Sequence, residues 1–355
     1  MSRSSFLPIF TLFILGCVQA NDQNPIKKAF FRGEYERTVS LAKQRLIENE
    51  NDPEALTFYG QSLVKLQQFE DAIPILNRAI DLDGSFPARK AWGLLHRGEA
   101  HYCLGYIPQA KADLTEITRI KSRALEKANY KLVVYGLLPS FDSWTLIETE
   151  HIRFHFQPGS IIPDLDKWAE SRQLAFRNIN LYFEVTLPKK IDFFVWNSNE
   201  GAKAVIYRTL GFAMPNECII HSRTNQTRGH ELTHIVTAHV IENQKQNRLI
   251  NEGFAVFFDQ SNRDNFDSLG QYIKTEGNKR VSINEIWNNP KPFPEELVYP
   301  LGGMLIEKII KASTKEEVIK FLKNQSKENA DLIFGKQKMR KIIQNLEEEI
   351  NRLSN

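Results

Sequence analysis

The sequence is poor in cysteine and has no marked excess of either charge. Its 355 residues include three cysteines, at positions 17, 103 and 218, and none of them forms a CxxC pair. Neither a disulfide framework nor a cysteine-based metal site is therefore expected. Lys and Arg number 46 against 43 Asp and Glu, which gives a formal charge of +3 without a basic block. Charge therefore provides no reason to expect a nucleic-acid partner.

Long apolar runs are absent beyond the amino terminus. Residues 1–20 combine a basic residue, a short apolar stretch and small residues, which predicts an export signal and not a membrane-spanning helix. Val18-Gln19-Ala20 fits cleavage before Asn21, whereas Ile14-Leu15-Gly16-Cys17 resembles a bacterial lipobox that would lipidate Cys17. Both alternatives predict a protein exported from the cytoplasm: periplasmic, secreted or held at a bacterial membrane by a lipid anchor.

Residues 27–138 have helical periodicity and an imperfect internal repeat. Small residues, aromatic residues and alanines recur at intervals of about 34 to 38 positions, among them Gly60, Phe69, Ala72, Gly98, Tyr106 and Ala110. Gly60 and Gly98 would allow paired helices to approach closely, and Pro53 and Pro87 fall between hairpins. This segment resembles the tetratricopeptide repeat family over about 110 residues. The resemblance implies stacked helical hairpins that could bind a protein partner; a spacer or a generic helical bundle is the alternative.

The pattern changes after residue 140. Alternation at Glu150–Phe156 predicts a strand, and Lys190–Trp196 and Glu217–Ser222 predict two more. Helices are predicted from about Asp164 to Phe183 and from near Thr227 onwards. A mixed α+β segment therefore follows the helical one.

The predicted helix near residue 230 carries His230-Glu231-Leu232-Thr233-His234. Residues four apart lie about 40° apart around an α-helix, so His230 and His234 can hold one cation. Neutral imidazole is a natural zinc ligand. Glu231 lies about 100° round from His230, where a carboxylate can reach a metal-bound water without ligating the metal. This placement suits a general base.

A catalytic zinc ion needs a third protein ligand and an open fourth position. Glu252, in Asn251-Glu252-Gly253, provides a carboxylate 18 positions after His234. HExxH followed by this later Asn-Glu-Gly resembles the gluzincin metallopeptidases, over about residues 143–311. The resemblance implies that His230, His234 and Glu252 bind one zinc ion per chain and that Glu231 is the catalytic base.

An oxyanion donor is harder to identify. Tyr299 precedes a helix predicted from Gly303 to Ile310 and resembles the downstream tyrosine of related peptidases. A structural role for Tyr299 is the alternative, and Tyr207 or His221 could donate instead. Residues 216–222 are interpreted either as an edge strand that pairs with an extended peptide or as an interior strand.

Together these patterns predict a multidomain protein. We expect an export signal at 1–20, an all-α tetratricopeptide-like module at 21–140, an α+β zincin-like catalytic lobe at 141–262 and a helical carboxy-terminal lobe at 263–355. The predicted function is an exported zinc metallopeptidase acting on peptides or proteins. The alternative is a non-catalytic protein-binding scaffold whose peptidase domain is degenerate or structural. An intact Glu231 favours the enzyme, because a structural zinc site needs no unligated base.

Overall fold

A computed structural model describes residues 24–240, 246–261, 264–277 and 280–352. The predicted export signal and Cys17 lie outside these residues. Across the described part of the chain, no helix is both long enough and apolar enough to cross a membrane. The described chain is mostly helical and contains one small mixed sheet.

Seven helices form the amino-terminal part of the described chain: α1 (Pro25–Phe31), α2 (Tyr35–Glu48), α3 (Pro53–Lys65), α4 (Phe69–Leu82), α5 (Pro87–Cys103), α6 (Ile107–Ile117) and α7 (Ala124–Val134). The two prolines begin α3 and α5, where a missing N–H costs nothing. A Cβ added at Gly60 would lie 2.5 Å from Leu76 Cγ, so α3 and α4 do approach closely there. The predicted hairpin boundaries and the close approach are confirmed.

The sheet has five strands: β1 (Thr145–Glu148), β2 (Ile152–Phe156), β3 (Ile191–Trp196), β4 (Phe212–Met214) and β5 (Ile219–Arg223). Their order is β1-β2-β3-β5-β4, and β2, β3 and β5 are parallel while the outer strands are antiparallel. The three predicted strands are confirmed; β1 and β4 were not predicted. Because β5 pairs on both sides, the edge-strand interpretation of residues 216–222 is wrong and the interior one is correct. The edge is β4.

The two faces of the sheet pack against different helices. Side chains alternate along a strand, so Phe193 and Val195 of β3 face α8 (Leu165–Phe183) and α10 (His230–Val240). Phe194 and Trp196 face the opposite way and share a core with Leu132 of α7. The short helix α9 (Asn199–Ile206) completes this second face. The amino-terminal helices and the sheet are therefore joined by a common apolar core.

A buried histidine links α7 to the sheet. His221 of β5 is fully buried and stacks between Phe194 and Phe212. Its Nδ1 accepts a hydrogen bond from Trp196 Nε1 at 3.0 Å, and its Nε2 lies 3.0 Å from the Val134 carbonyl oxygen, to which it can donate. The neutral ring satisfies both contacts. Burial lowers the pKa of His221 to about 3, with smaller contributions that include repulsion from His155 and Arg208 and attraction from Asp192.

This histidine should make the fold sensitive to acid. In the unfolded chain the pKa of this histidine is about 6.5. Between pH 6.5 and 3 the unfolded state therefore binds one more proton than the folded state, and the free energy of unfolding decreases as the pH is lowered. The contribution is at most about 1.4 kcal/mol per pH unit. We expect the unfolding free energy, measured by urea denaturation from pH 7 to 4.5, to fall more steeply for the wild type than for His221→Phe. Parallel pH profiles of the two proteins would show that His221 is not the source of the acid sensitivity.

The remainder of the described chain is helical: α11 (Arg248–Phe257), α12 (Asn265–Thr275), α13 (Ile283–Asn288), α14 (Glu295–Lys311), α15 (Lys315–Leu322), α16 (Lys327–Phe334) and α17 (Lys336–Asn351). The helix expected from Gly303 begins eight residues earlier, at Glu295, so Tyr299 lies within α14 and not before it. Close packing of α14 on α11 accounts for the earlier start of the helix. The two helices touch so closely that a Cβ added at Gly253 would lie 2.6 Å from the Gly302 carbonyl oxygen.

Candidate metal centre

The two histidines lie at the start of α10. Leu232, Ile235 and Val236 of this helix are fully buried in the core beneath the sheet. That packing leaves His230 and His234 on the side of α10 that faces α11, where their ring centroids are 4.9 Å apart. The Gly229 N–H donates to the Asp259 carbonyl oxygen at 2.8 Å, which joins the start of α10 to the chain just after α11. The packing of α10 thus presents both imidazoles to α11.

Glu252 of α11 completes a convergent set of ligand atoms. Its Oε2 lies 3.3 Å from His230 Nε2 and 3.4 Å from His234 Nε2, and one ligand atom from each residue lies within 4.8 Å of the others. In a tetrahedral zinc site with bonds near 2.0–2.1 Å, neighbouring ligand atoms are about 3.3 Å apart. The Glu252 Oε2 atom is also buried and finds no hydrogen-bond donor among the described residues. These three side chains therefore fit a divalent metal ion.

The electrostatics of Glu252 favour a charged ligand. Burial by itself would raise the pKa of Glu252, but the two histidine rings more than offset this and hold the pKa well below its usual range. A carboxylate ligand must be ionised to bind a cation. Glu252 therefore meets this requirement at neutral pH.

Glu231 lies beside this cluster and is not part of it. The residue is 5% exposed. Burial raises the pKa of Glu231, and the nearby His230 and His234 partly offset the increase. Gln226, in the loop before α10, places Nε2 3.5 Å from Glu231 Oε1. The site therefore contains a buried carboxylate that can accept and release a proton next to the ligand set.

Two cavities meet at these residues. The larger, of about 530 Å³, has mainly polar walls, and the smaller, of about 300 Å³, is bounded by β4 residues Phe212 and Ala213. Four residues line both cavities: Gly211, His230, Glu231 and Tyr299. An extended ligand could therefore pass across the cluster and along the β4 edge.

Tyr299 lies directly against the ligand set. Its ring stacks on that of His230, with centroids 5.7 Å apart and planes inclined by 21°. Burial, followed by the Glu252 charge, raises the pKa of Tyr299 further above its usual value, so the hydroxyl keeps its proton. The two alternative oxyanion donors lie elsewhere. Tyr207 is 78% exposed and lines neither cavity, and His221 is buried in the core between α7 and the sheet.

Two polar neighbours of the site were not identified from the sequence. Asn251 places its amide nitrogen 3.4 Å from His234 Nδ1, and Gln226 contacts Glu231. Asn251 directly precedes Glu252, which was a usable signal, whereas nothing in the spacing indicated Gln226. His239, five residues after His234 on the same helix, faces the Ile235 carbonyl oxygen and Cys218 and is not part of the cluster.

Comparison of the chain with models of known protein families and with curated proteins found no match. The geometry of the site therefore carries the functional argument by itself.

Proposed function

We propose that this protein is an exported zinc-dependent metallopeptidase that hydrolyses peptide bonds. The observation that carries the proposal is the convergence of His230 Nε2, His234 Nε2 and Glu252 Oε2 beside the buried, unligated carboxylate of Glu231. HExxH with a later glutamate on the next helix resembles the gluzincins. The tetratricopeptide-like module, the zincin-like lobe and an exported or lipid-anchored location belong to the same proposal.

A zinc ion held by these three residues would supply Lewis-acid polarisation of a water molecule and of the scissile carbonyl. The side chains would do the rest. The Glu231 carboxylate accepts a proton from the attacking water and later delivers it to the departing amine nitrogen, so that one water is consumed per bond cleaved. The Tyr299 hydroxyl donates a hydrogen bond to the negative charge that develops on the carbonyl oxygen.

The β4 edge would align the substrate. Its outer side has no strand partner among the described residues, and Gly211, Phe212 and Ala213 line the smaller cavity beside Glu231. An extended peptide can add to such an edge through main-chain hydrogen bonds. This mode of binding would place a peptide bond near the metal centre without strong dependence on sequence.

A second candidate is a binding protein. A groove of about 850 Å³ in the amino-terminal helices is rich in aromatic side chains and includes Phe31, which is 71% exposed. Such a groove suits a protein or peptide partner. In this alternative the metal would serve structure only, and Glu231 would have no chemical role.

The two candidates make different predictions for the purified protein. The peptidase should bind about one zinc ion per chain and should cleave members of a peptide library, and a chelator should abolish cleavage until zinc is restored. Metal content and product masses are the measurements. Zinc-loaded protein that cleaves no peptide but retains one in the groove would support the scaffold instead.

A further inference from the structure

The structure contains a buried arginine that has no carboxylate partner in the described chain. Arg172 of α8 is 8% exposed, and its Nε atom is buried without an acceptor. Burial lowers the pKa of Arg172 to about 10, and repulsion from Arg228, the only charged neighbour among the described residues that acts on it, lowers the pKa further. The guanidinium therefore stays positive at neutral pH. A buried charge without an opposite charge is costly, so this one calls for an explanation.

Neutral groups satisfy only part of the Arg172 guanidinium. NH1 donates to Ser171 Oγ at 2.8 Å, and NH2 donates to the Gln226 carbonyl oxygen at 3.1 Å. The guanidinium also lies 3.6 Å from the centroid of the Trp168 ring. These contacts orient the side chain, but none of them brings a negative charge.

Arg172 lines a small cavity, of about 240 Å³, together with a second arginine. The other lining residues are Gln226, Thr227, Arg228, Gln260 and Ser261. Arg228 and Thr227 lie two and three residues before the first residue of α10, so the positive end of that helix dipole is nearby. The carboxylate of Asp259, close in sequence, accepts the Ser261 N–H instead of pairing with Arg172 or Arg228. Positive charge and polar donors thus surround the cavity.

We propose that Arg172 and Arg228 bind a small oxyanion, either a free phosphate-like ion or a carboxylate group, in this cavity. Guanidinium groups bind both kinds of anion through paired charge-assisted hydrogen bonds. The site adjoins the metal centre without sharing its ligands. Gln226 connects the two, because its carbonyl oxygen accepts from Arg172 while its side-chain amide approaches Glu231. A bound anion would hold this loop and so position Gln226 beside Glu231.

Calorimetric titration of the full mature chain at constant ionic strength tests the site, with inorganic phosphate and acetate as separate probes. One saturable site per chain is expected for at least one probe, and the preferred probe tells a phosphate-like ligand from a carboxylate. Arg228→Gln should weaken binding about tenfold through loss of one charge-assisted contact. Arg172→Gln should abolish binding; if it does not fold, exposed Arg228 still provides the test.

Two further variants separate this site from the rest of the protein. Arg177→Gln alters an exposed arginine of the same helix that pairs with Glu150, and it should bind as the wild type does. Glu252→Gln, which disrupts the metal centre, should also retain anion binding. The proposal is overturned if neither probe binds saturably, if Arg228→Gln binds as tightly as the wild type, or if Glu252→Gln alone abolishes binding.

Discussion

Glu231→Gln should reduce peptide hydrolysis by about 10²- to 10⁴-fold while leaving the fold and the bound zinc unchanged. General acid–base catalysis contributes rate factors of this size. A glutamine amide has nearly the shape of the carboxylate but cannot take a proton from water. None of the three converging ligand atoms is altered, and the substitution removes a buried charge that folding must desolvate. The measurements are kcat/KM on a cleaved library peptide and zinc content.

A matched control removes a glutamate charge at a position outside the metal centre. Glu170 lies on the exposed face of α8, outside both cavities of the metal centre. Glu170→Gln should therefore keep wild-type kcat/KM and zinc content. If Glu231→Gln bound zinc and cleaved peptides at the wild-type rate, Glu231 would not be the base, and the proposed mechanism would be wrong.

The second large effect concerns Glu252. Glu252→Gln replaces a proposed charged ligand by a neutral amide at the point where Oε2 lies 3.3 Å from His230 Nε2 and 3.4 Å from His234 Nε2. Changes in groups that merely support a ligand already cost 10- to 100-fold in metal affinity. We therefore expect zinc affinity to fall by more than about 100-fold, as measured by competition with a chromogenic chelator.

Thermal unfolding offers an independent measurement of the same effect. Zinc at about 1,000 times the dissociation constant stabilises the folded state by about 4 kcal/mol, and a 100-fold weaker site leaves about 1.4 kcal/mol. The rise in melting temperature on adding zinc should therefore shrink to roughly a third in Glu252→Gln and stay unchanged in Glu170→Gln. An unchanged rise in Glu252→Gln would exclude this carboxylate as a ligand.

Local patterns predicted the elements that depend on neighbours along the chain. Alternation located β2 and a short apolar run located β3, and Asp164 begins α8 as an amino-terminal cap whose side chain accepts from the Lys167 N–H. Pro53 and Pro87 marked helix starts for a reason local to proline. Strand β4 has only three residues, which is too short for a period of two to be visible, and it forms because β5 lies beside it.

Tertiary contacts overrode local preference in α14. Pro300, Gly302 and Gly303 disfavour a helix interior, so the sequence indicated a later start. In the structure the two glycines face α11, and the space that they leave allows the helices to touch. That contact brings Tyr299 of α14 and Glu252 of α11 to the same side of the site.

The sequence alone determined that His230 and His234 share a helix face with Glu231 beside them, because helical geometry relates residues one and four positions apart without reference to the rest of the chain. It also indicated Glu252 as a candidate. Only the tertiary structure decided that the Glu252 oxygen meets both imidazoles, that β4 is the edge strand beside the site and that Arg172 lies buried near Arg228. Those placements depend on packing between segments distant in sequence, whose spacing along the chain does not specify distance in space.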